Sequence, residues 1–84
     1  MNSSVLIVDD NDAIRTLFRR YLATAGYQVQ TASTLAEARE AIHERRFDAV
    51  LLDLELPDGS GLDWVAELRQ ANPAAAIVVV TGNG

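Results

Sequence analysis

The sequence predicts an α/β domain: a parallel sheet with helices on its faces. Three observations carry this. Four short apolar runs rich in β-branched residues recur along the chain, and helix-period segments separate them. Three of the runs, Val5–Val8, Ala49–Leu52 and Ala76–Val80, are continuously apolar rather than alternating. Continuous runs mark strands covered on both faces, as in parallel sheets. The resulting order is βαβαβαβ, and repeated βαβ units imply right-handed crossovers that place helices against the sheet.

Each element has its own signal. After Val5–Val8, Ile14, Leu17, Phe18, Tyr21, Leu22 and Ala25 recur at i, i+3, i+4, i+7, i+8 and i+11, one face of an amphipathic helix over 12–25. Gly26 supplies its stop. Residues 27–32 alternate, with Tyr27, Val29 and Thr31 on one side and Gln28 and Gln30 on the other, as a half-exposed edge strand would. Thr34 and Glu37 have the spacing of a capping box opening a second helix, whose buried stripe is Leu35, Ala38, Ala41 and Ile42. Residues 54–61 read as a loop broken by Pro57, Gly59 and Gly61. A third helix over 62–71 buries Leu62, Val65 and Leu68, leaves Trp64 at the boundary of that face, and ends at Asn72-Pro73. No internal linker or repeat interrupts the series.

Composition narrows the chemistry. The 84 residues contain no cysteine and one histidine, His43, which excludes thiolate sites and multi-histidine metal sites. His43, beside Glu44, Arg45 and Arg46, is expected to be a solvated helix residue. Twelve acids face seven bases, all of them arginine, for a net charge of −5. Such a balance repels nucleic acid, so none is expected to bind through this segment. No run approaches the roughly 20 apolar residues of a bilayer span, and the first apolar run lacks the flanks of a signal peptide. A soluble, cytoplasmic protein that makes no membrane contact is expected.

Polar residues end three of the strands: Asp9 and Asp10 after the first, Asp53 after the third, Thr81 after the fourth. In open parallel sheets ligands sit beyond the carboxyl ends of the strands. If the first and third strands are neighbours, three carboxylates meet on that rim. Clustered carboxylates repel unless a cation neutralises them, and an all-oxygen donor set favours a hard ion, best Mg²⁺. A carboxylate beside Mg²⁺ can act as a nucleophile toward phosphorus. Singly, such residues are commonly strand or helix caps; it is their agreement on one rim that points to chemistry.

The stretches Val5-Leu-Ile-Val-Asp-Asp10, Ala49-Val-Leu-Leu-Asp-Leu-Glu-Leu-Pro-Asp-Gly-Ser-Gly61 and Val78-Val-Val-Thr-Gly82 resemble, in order, the motifs of receiver domains of two-component response regulators. The resemblance implies a flavodoxin-like fold of strand order 2-1-3-4-5, of which 2-1-3-4 is present. It implies that Asp53 accepts a phosphoryl group from a histidine kinase or phosphotransfer protein. Asp10 would ligate Mg²⁺, Asp9 would hold a metal-bound water, and the backbone carbonyl of Glu55 would complete the shell. Thr81 would be the switch hydroxyl. Glu55 and Asn83 would tune the phosphoryl lifetime, and Ile14 and Arg15 are candidates for the kinase contact.

The resemblance also implies an absence. Residues 1–84 correspond to the N-terminal portion of a receiver, stopping before the fifth strand. The last helix–strand–helix, the lysine that pairs with the phosphoryl group and the aromatic switch residue are not in the sequence. The fourth strand then becomes a sheet edge without charge or proline, and apolar area beside the first helix is uncovered, so self-association is expected. Two alternatives stand beside the phosphoacceptor module. One is a Mg²⁺-dependent phosphohydrolase of the dehalogenase-like type, which also places a nucleophilic Asp after a buried strand but needs an Asp where Glu55 stands. The other is an interaction scaffold that never meets phosphate.

Overall fold

The computed structural model describes residues 3–80. In chain order the elements are β1 (Ser4–Val8), α1 (Asp12–Thr24), β2 (Gln28–Ala32), α2 (Leu35–Glu44), β3 (Ala49–Asp53), β4 (Glu55–Leu56), β5 (Gly59–Ser60), α3 (Gly61–Ala71) and β6 (Ala76–Val80). Four strands form one parallel sheet in the order β2-β1-β3-β6. This is the expected 2-1-3-4 arrangement, β6 being the fourth strand of the sheet.

Strand alternation divides the core into two layers. Leu6, Val8, Val50 and Leu52 point to one face and pack with Ala38 and Ile42 of α2 and Trp64 and Leu68 of α3. Ile7 and Leu51, register partners on the opposite face, line a crevice with Phe18 of α1. Helices therefore cover both faces. The two central strands lie in the best-shielded places: Leu6, Val50 and Leu52 are fully buried.

α2 follows the expected stripe, with Leu35, Ala38, Ala41 and Ile42 all buried. Its cap differs in one bond. Thr34 Oγ1 accepts from the Glu37 amide at 3.1 Å, as a capping box requires. The Glu37 carboxylate, however, reaches one residue further back, accepting from the Ser33 amide at 2.7 Å and the Ser33 hydroxyl at 2.9 Å.

Two helical faces depart from expectation. In α3 the buried line is Gly61, Trp64 and Leu68, whereas Leu62 is 63% exposed and Val65 half-buried. Trp64 is thus a core residue, not a boundary one. The cause is Gly61: a Cβ there would lie 2.5 Å from the Asp53 carbonyl oxygen. The glycine face is drawn onto β3, and this rotates the helix so that Trp64 and Leu68 follow it inward. In α1 no residue is fully buried among those described; Leu17 and Tyr21 are largely exposed, while Ile14, Phe18 and Leu22 are half-buried. The sheet accepts only the i, i+4, i+8 line of a wider apolar stripe.

The stretch read as a loop contains a two-stranded antiparallel hairpin, with Glu55 opposite Ser60 and Leu56 opposite Gly59. Pro57 and Asp58 form its tip. Gly59 adopts φ 150°, a conformation that L side chains rarely adopt.

Among the described residues no helix is long and apolar enough to cross a membrane. His43 is exposed on α2, and its Nε2 lies 3.9 Å from the Glu67 carboxylate of α3. Asn72, which ends α3, is buried and donates from Nδ2 to the Phe47 carbonyl at 3.1 Å. That bond joins the two turns at the sheet end opposite the carboxylates.

Acid should loosen α2 first. The Leu35 amide, then the Ala36 amide, hold the Asp58 carboxyl below its ordinary value. The Ser33 amide and hydroxyl do the same for Glu37. Carboxyls depressed in the folded state contribute stability above their ordinary range and lose it as the pH falls through the folded value. Lowering the pH below about 4 should therefore speed amide exchange at Leu35, Ala36 and Glu37 before the central strands respond. Uniform exchange across α2 and β3 under those conditions would contradict this order.

Candidate functional site

The sheet register brings the carboxylates together. Val8 pairs with Leu52, so the residues that follow, Asp9 and Asp53, emerge side by side at the carboxyl end of the two central strands. One carboxylate oxygen from each of Asp9, Asp10 and Asp53 lies within 4.8 Å of the others. Asp9 is 4% and Asp53 6% exposed, whereas Asp10 faces solvent. Two buried anions with a third at the mouth form a site open on one side.

Backbone amides hold the two buried carboxylates. The Asn11 amide donates to Asp9 Oδ1 at 2.9 Å, and the Glu55 amide donates to Asp53 Oδ1 at 3.1 Å. Both bonds run from residue i+2, so each strand end turns onto its own carboxylate. Asn11 then caps α1, its Oδ1 accepting from the Ile14 amide at 3.1 Å. This places the N-terminus of α1, with its partial positive charge, beside the acidic cluster.

Burial pushes the Asp9 carboxyl above its ordinary value, and the charges of Asp53 and Asp10 push it further; the Asn11 amide and Arg15 oppose the rise. The cluster is therefore under electrostatic tension that a cation would relieve. All three donors are carboxylates, the set that suits a hard divalent ion. The residues fit such an ion, and Asp9, Asp10 and Asp53 would hold it.

Arg15 is engaged within the chain. Its Nη1 donates to the Asp9 carbonyl at 2.7 Å, its Nη2 pairs with Asp12, and its side chain is 18% exposed. Ile14 beside it is half-buried. Glu55 is exposed, its amide rather than its carboxylate meeting Asp53. Thr81 and Asn83 lie outside the described residues.

Two contacts of the segment that follows Asp53 were not legible as such in the sequence. Gly61 permits α3 to start against the Asp53 backbone, and its amide donates to the Leu54 carbonyl at 3.0 Å. Asp58, at the tip of the hairpin, accepts from the Leu35 amide at 2.9 Å and the Ala36 amide at 3.0 Å. The glycine was visible only as a breaker in the 54–61 loop, and its close approach needs the fold. The Asp58 bond spans more than 20 residues, and no local pattern signals it.

A parallel sheet of this order with an acidic triad at the ends of its central strands defines a receiver-type signalling domain. The family model described as "Response regulator receiver domain" matches residues 5–84, and the chain belongs to that family, which serves two-component systems. The chain is 38% identical over 81 residues to the photosynthetic apparatus regulatory protein RegA of Rhodobacter capsulatus, a match covering 96% of this chain and 44% of RegA. It is similar in structure to a response regulator of Burkholderia pseudomallei that carries a phosphorylated aspartic acid, a calcium ion and citrate. That likeness has TM-score 0.93 and 32% identity, and covers 99% of this chain and 49% of the other. It is also similar to a CheY-like receiver domain of Methanospirillum hungatei, with TM-score 0.94, 31% identity, and coverage of 100% and 67%. The chain thus spans about half the length of RegA and of the Burkholderia protein.

Proposed function

We propose that this chain belongs to a phosphoacceptor module, in which Asp53 takes a phosphoryl group from a histidine kinase or phosphotransfer protein with the help of Mg²⁺. The observation that carries the reading is the convergence of Asp9, Asp10 and Asp53 at the ends of the two central strands. Bound there, Mg²⁺ supplies positive charge to the incoming phosphoryl oxygens. Asp10 and Asp53 would hold the ion together with the Glu55 carbonyl, and Asp9 would hold it through a water. Asp53 presents one carboxylate oxygen to phosphorus while the Glu55 amide fixes the other. The phosphoaspartate and calcium ion of the Burkholderia response regulator support the same chemistry by likeness.

Thr81 reads the phosphoryl group through its hydroxyl, and Glu55 and Asn83 tune its lifetime. Ile14 and Arg15, in the first turn of α1, supply the kinase contact. A hydrolase reading is less well supported. That class needs an Asp two positions after Asp53, where this chain has Glu55, an exposed residue.

The test is incubation of the full-length protein with acetyl phosphate and Mg²⁺, followed by mass spectrometry. One phosphoryl group on Asp53 is expected; phosphate on another residue, or continuous turnover without a bound group, sinks the reading. Asp10→Asn should weaken Mg²⁺ binding by about tenfold or more, read by calorimetry. Unchanged affinity would remove Asp10 from the shell.

The 84-residue chain by itself should pair with a second copy. Among the described residues β6 is a sheet edge, with Val78 48% and Val79 45% exposed, and Leu17 and Tyr21 add uncovered apolar area on α1. Residues 76–80 carry no charge and no proline, so nothing blunts the edge. Sedimentation at micromolar concentration should show a dimer or larger species, and a folded monomer would contradict this.

A further inference from the structure

The hairpin that follows Asp53 is tied at both ends. At its base the Glu55 amide holds Asp53 Oδ1, and the Gly61 amide closes on the Leu54 carbonyl. At its tip both carboxylate oxygens of Asp58 are taken by the first two amides of α2. Gly59 lies against Leu35, where an added Cβ would stand 3.1 Å from Leu35 Cδ1. Thr34 covers the next amide of α2, so the first turn leaves none of these three donors unpaired. The N-cap side chain covers one of these amides, and solvent could have met the other two. Instead a residue from the loop of the reacting aspartate supplies two of the three acceptors.

We propose that Asp58 is a positioning residue for the acceptor site. Its two-pronged bond to α2 holds the Glu55 segment against Asp53 and thereby sets Mg²⁺ affinity and the rate of phosphoryl uptake. The inference rests on the phosphoacceptor reading of Asp53. Mechanically, the hairpin is only two residue pairs long and is marginal without outside support. Released at the tip, it would let the Glu55 amide and carbonyl drift from the geometry that the carboxylate and the ion require. Groups that orient ligands in this manner typically change metal affinity 10- to 100-fold when removed.

The experiment compares Asp58→Ala, Asp58→Asn and Thr34→Ala in the full-length protein. Thr34→Ala uncaps the same helix without touching the hairpin, so it reports what a merely structural cap is worth. Three quantities are read: the urea midpoint, Mg²⁺ affinity by calorimetry, and the initial rate of uptake from acetyl phosphate. Asp58→Ala should lower Mg²⁺ affinity and the uptake rate by about tenfold. Asp58→Asn, which keeps one acceptor oxygen, should recover part of both, and Thr34→Ala should lower the urea midpoint while leaving both near wild type. Wild-type affinity and rate in Asp58→Ala, with the midpoint lowered as in Thr34→Ala, would overturn the proposal. Should Asp58→Ala fail to fold, Asp58→Asn decides, because unchanged affinity and rate in that variant overturn it equally. Failure of the unsubstituted protein to bind Mg²⁺ or take up phosphate would instead strike at the role of Asp53.

Discussion

Asp53→Asn should abolish phosphoryl uptake in the full-length protein without unfolding it. An amide nitrogen has no available lone pair to attack phosphorus, and its carbonyl oxygen is a far weaker nucleophile than a carboxylate. The remaining acids cannot replace it in place: Asp9 is turned onto the Asn11 amide, and Asp10 stands at the solvent side of the cluster. The expected loss is at least about 10³-fold in initial rate, or about 4 kcal/mol of barrier. Stability should move the other way. The Asp53 charge is one of the causes that push Asp9 up, so removing it relaxes the apo cluster. At neutral pH the variant should therefore be at least as stable to urea as the parent. A variant that still takes up phosphate at the parent rate would show that Asp53 is not the acceptor.

Gly61→Ala should do the opposite in one respect, by lowering stability and uptake together. Two effects compete. Alanine in the first turn of a helix is favoured over glycine by up to about 1 kcal/mol. Against this, the new methyl would sit 2.5 Å from the Asp53 carbonyl oxygen and 3.0 Å from Leu52 Cδ1. The leucine end can shift, but the carbonyl belongs to a strand paired on both sides, with β1 and β6. Overpacking costs about 1–3 kcal/mol even where side chains can yield. With a backbone atom in the way, a net loss of about 2–3 kcal/mol is expected, a large part of the 5–15 kcal/mol available to a typical domain. Because the displaced atom belongs to Asp53 itself, divalent binding should fall as well. Urea denaturation and calorimetry on one preparation check both, and wild-type stability would mean that α3 tolerates a shift away from β3.

The contrast between these variants shows which parts of the molecule can be read from local pattern. The three helices were legible from their periodicity and the strands of the main sheet from short β-branched apolar runs, three of them continuous, and the buried stripe of α2 matched residue for residue. The acidic triad was legible because parallel order alone puts strand ends on one rim. The rotation of α3 was not, since Leu62, Val65 and Leu68 satisfy the helical period as well as the true line does. What decides between them is the contact of Gly61 with β3, a tertiary fact. The short hairpin was hidden for a similar reason: two residue pairs are too few to show alternation. The stripe on α1 was read at full width, yet the sheet it meets accepts only part of it. Arg15 was read only as a candidate kinase contact, because nothing local shows that its guanidinium turns back to the Asp9 carbonyl.

The buried indole of Trp64 has a spectroscopic consequence. It is the only tryptophan of the 84 residues, it is 1% exposed, and its Nε1 finds no acceptor among the described residues. The intrinsic emission of the chain beyond its two tyrosines therefore comes from one ring buried among apolar side chains. Native protein should emit at the blue end of the tryptophan range and resist quenching by iodide, which cannot reach the ring. Trp64 also lies one helical turn beyond Gly61, the residue seated on the Asp53 backbone. Any rearrangement at the acceptor that lifts the start of α3 would be transmitted along that turn, making the chromophore an optical gauge of the layer between α2 and α3.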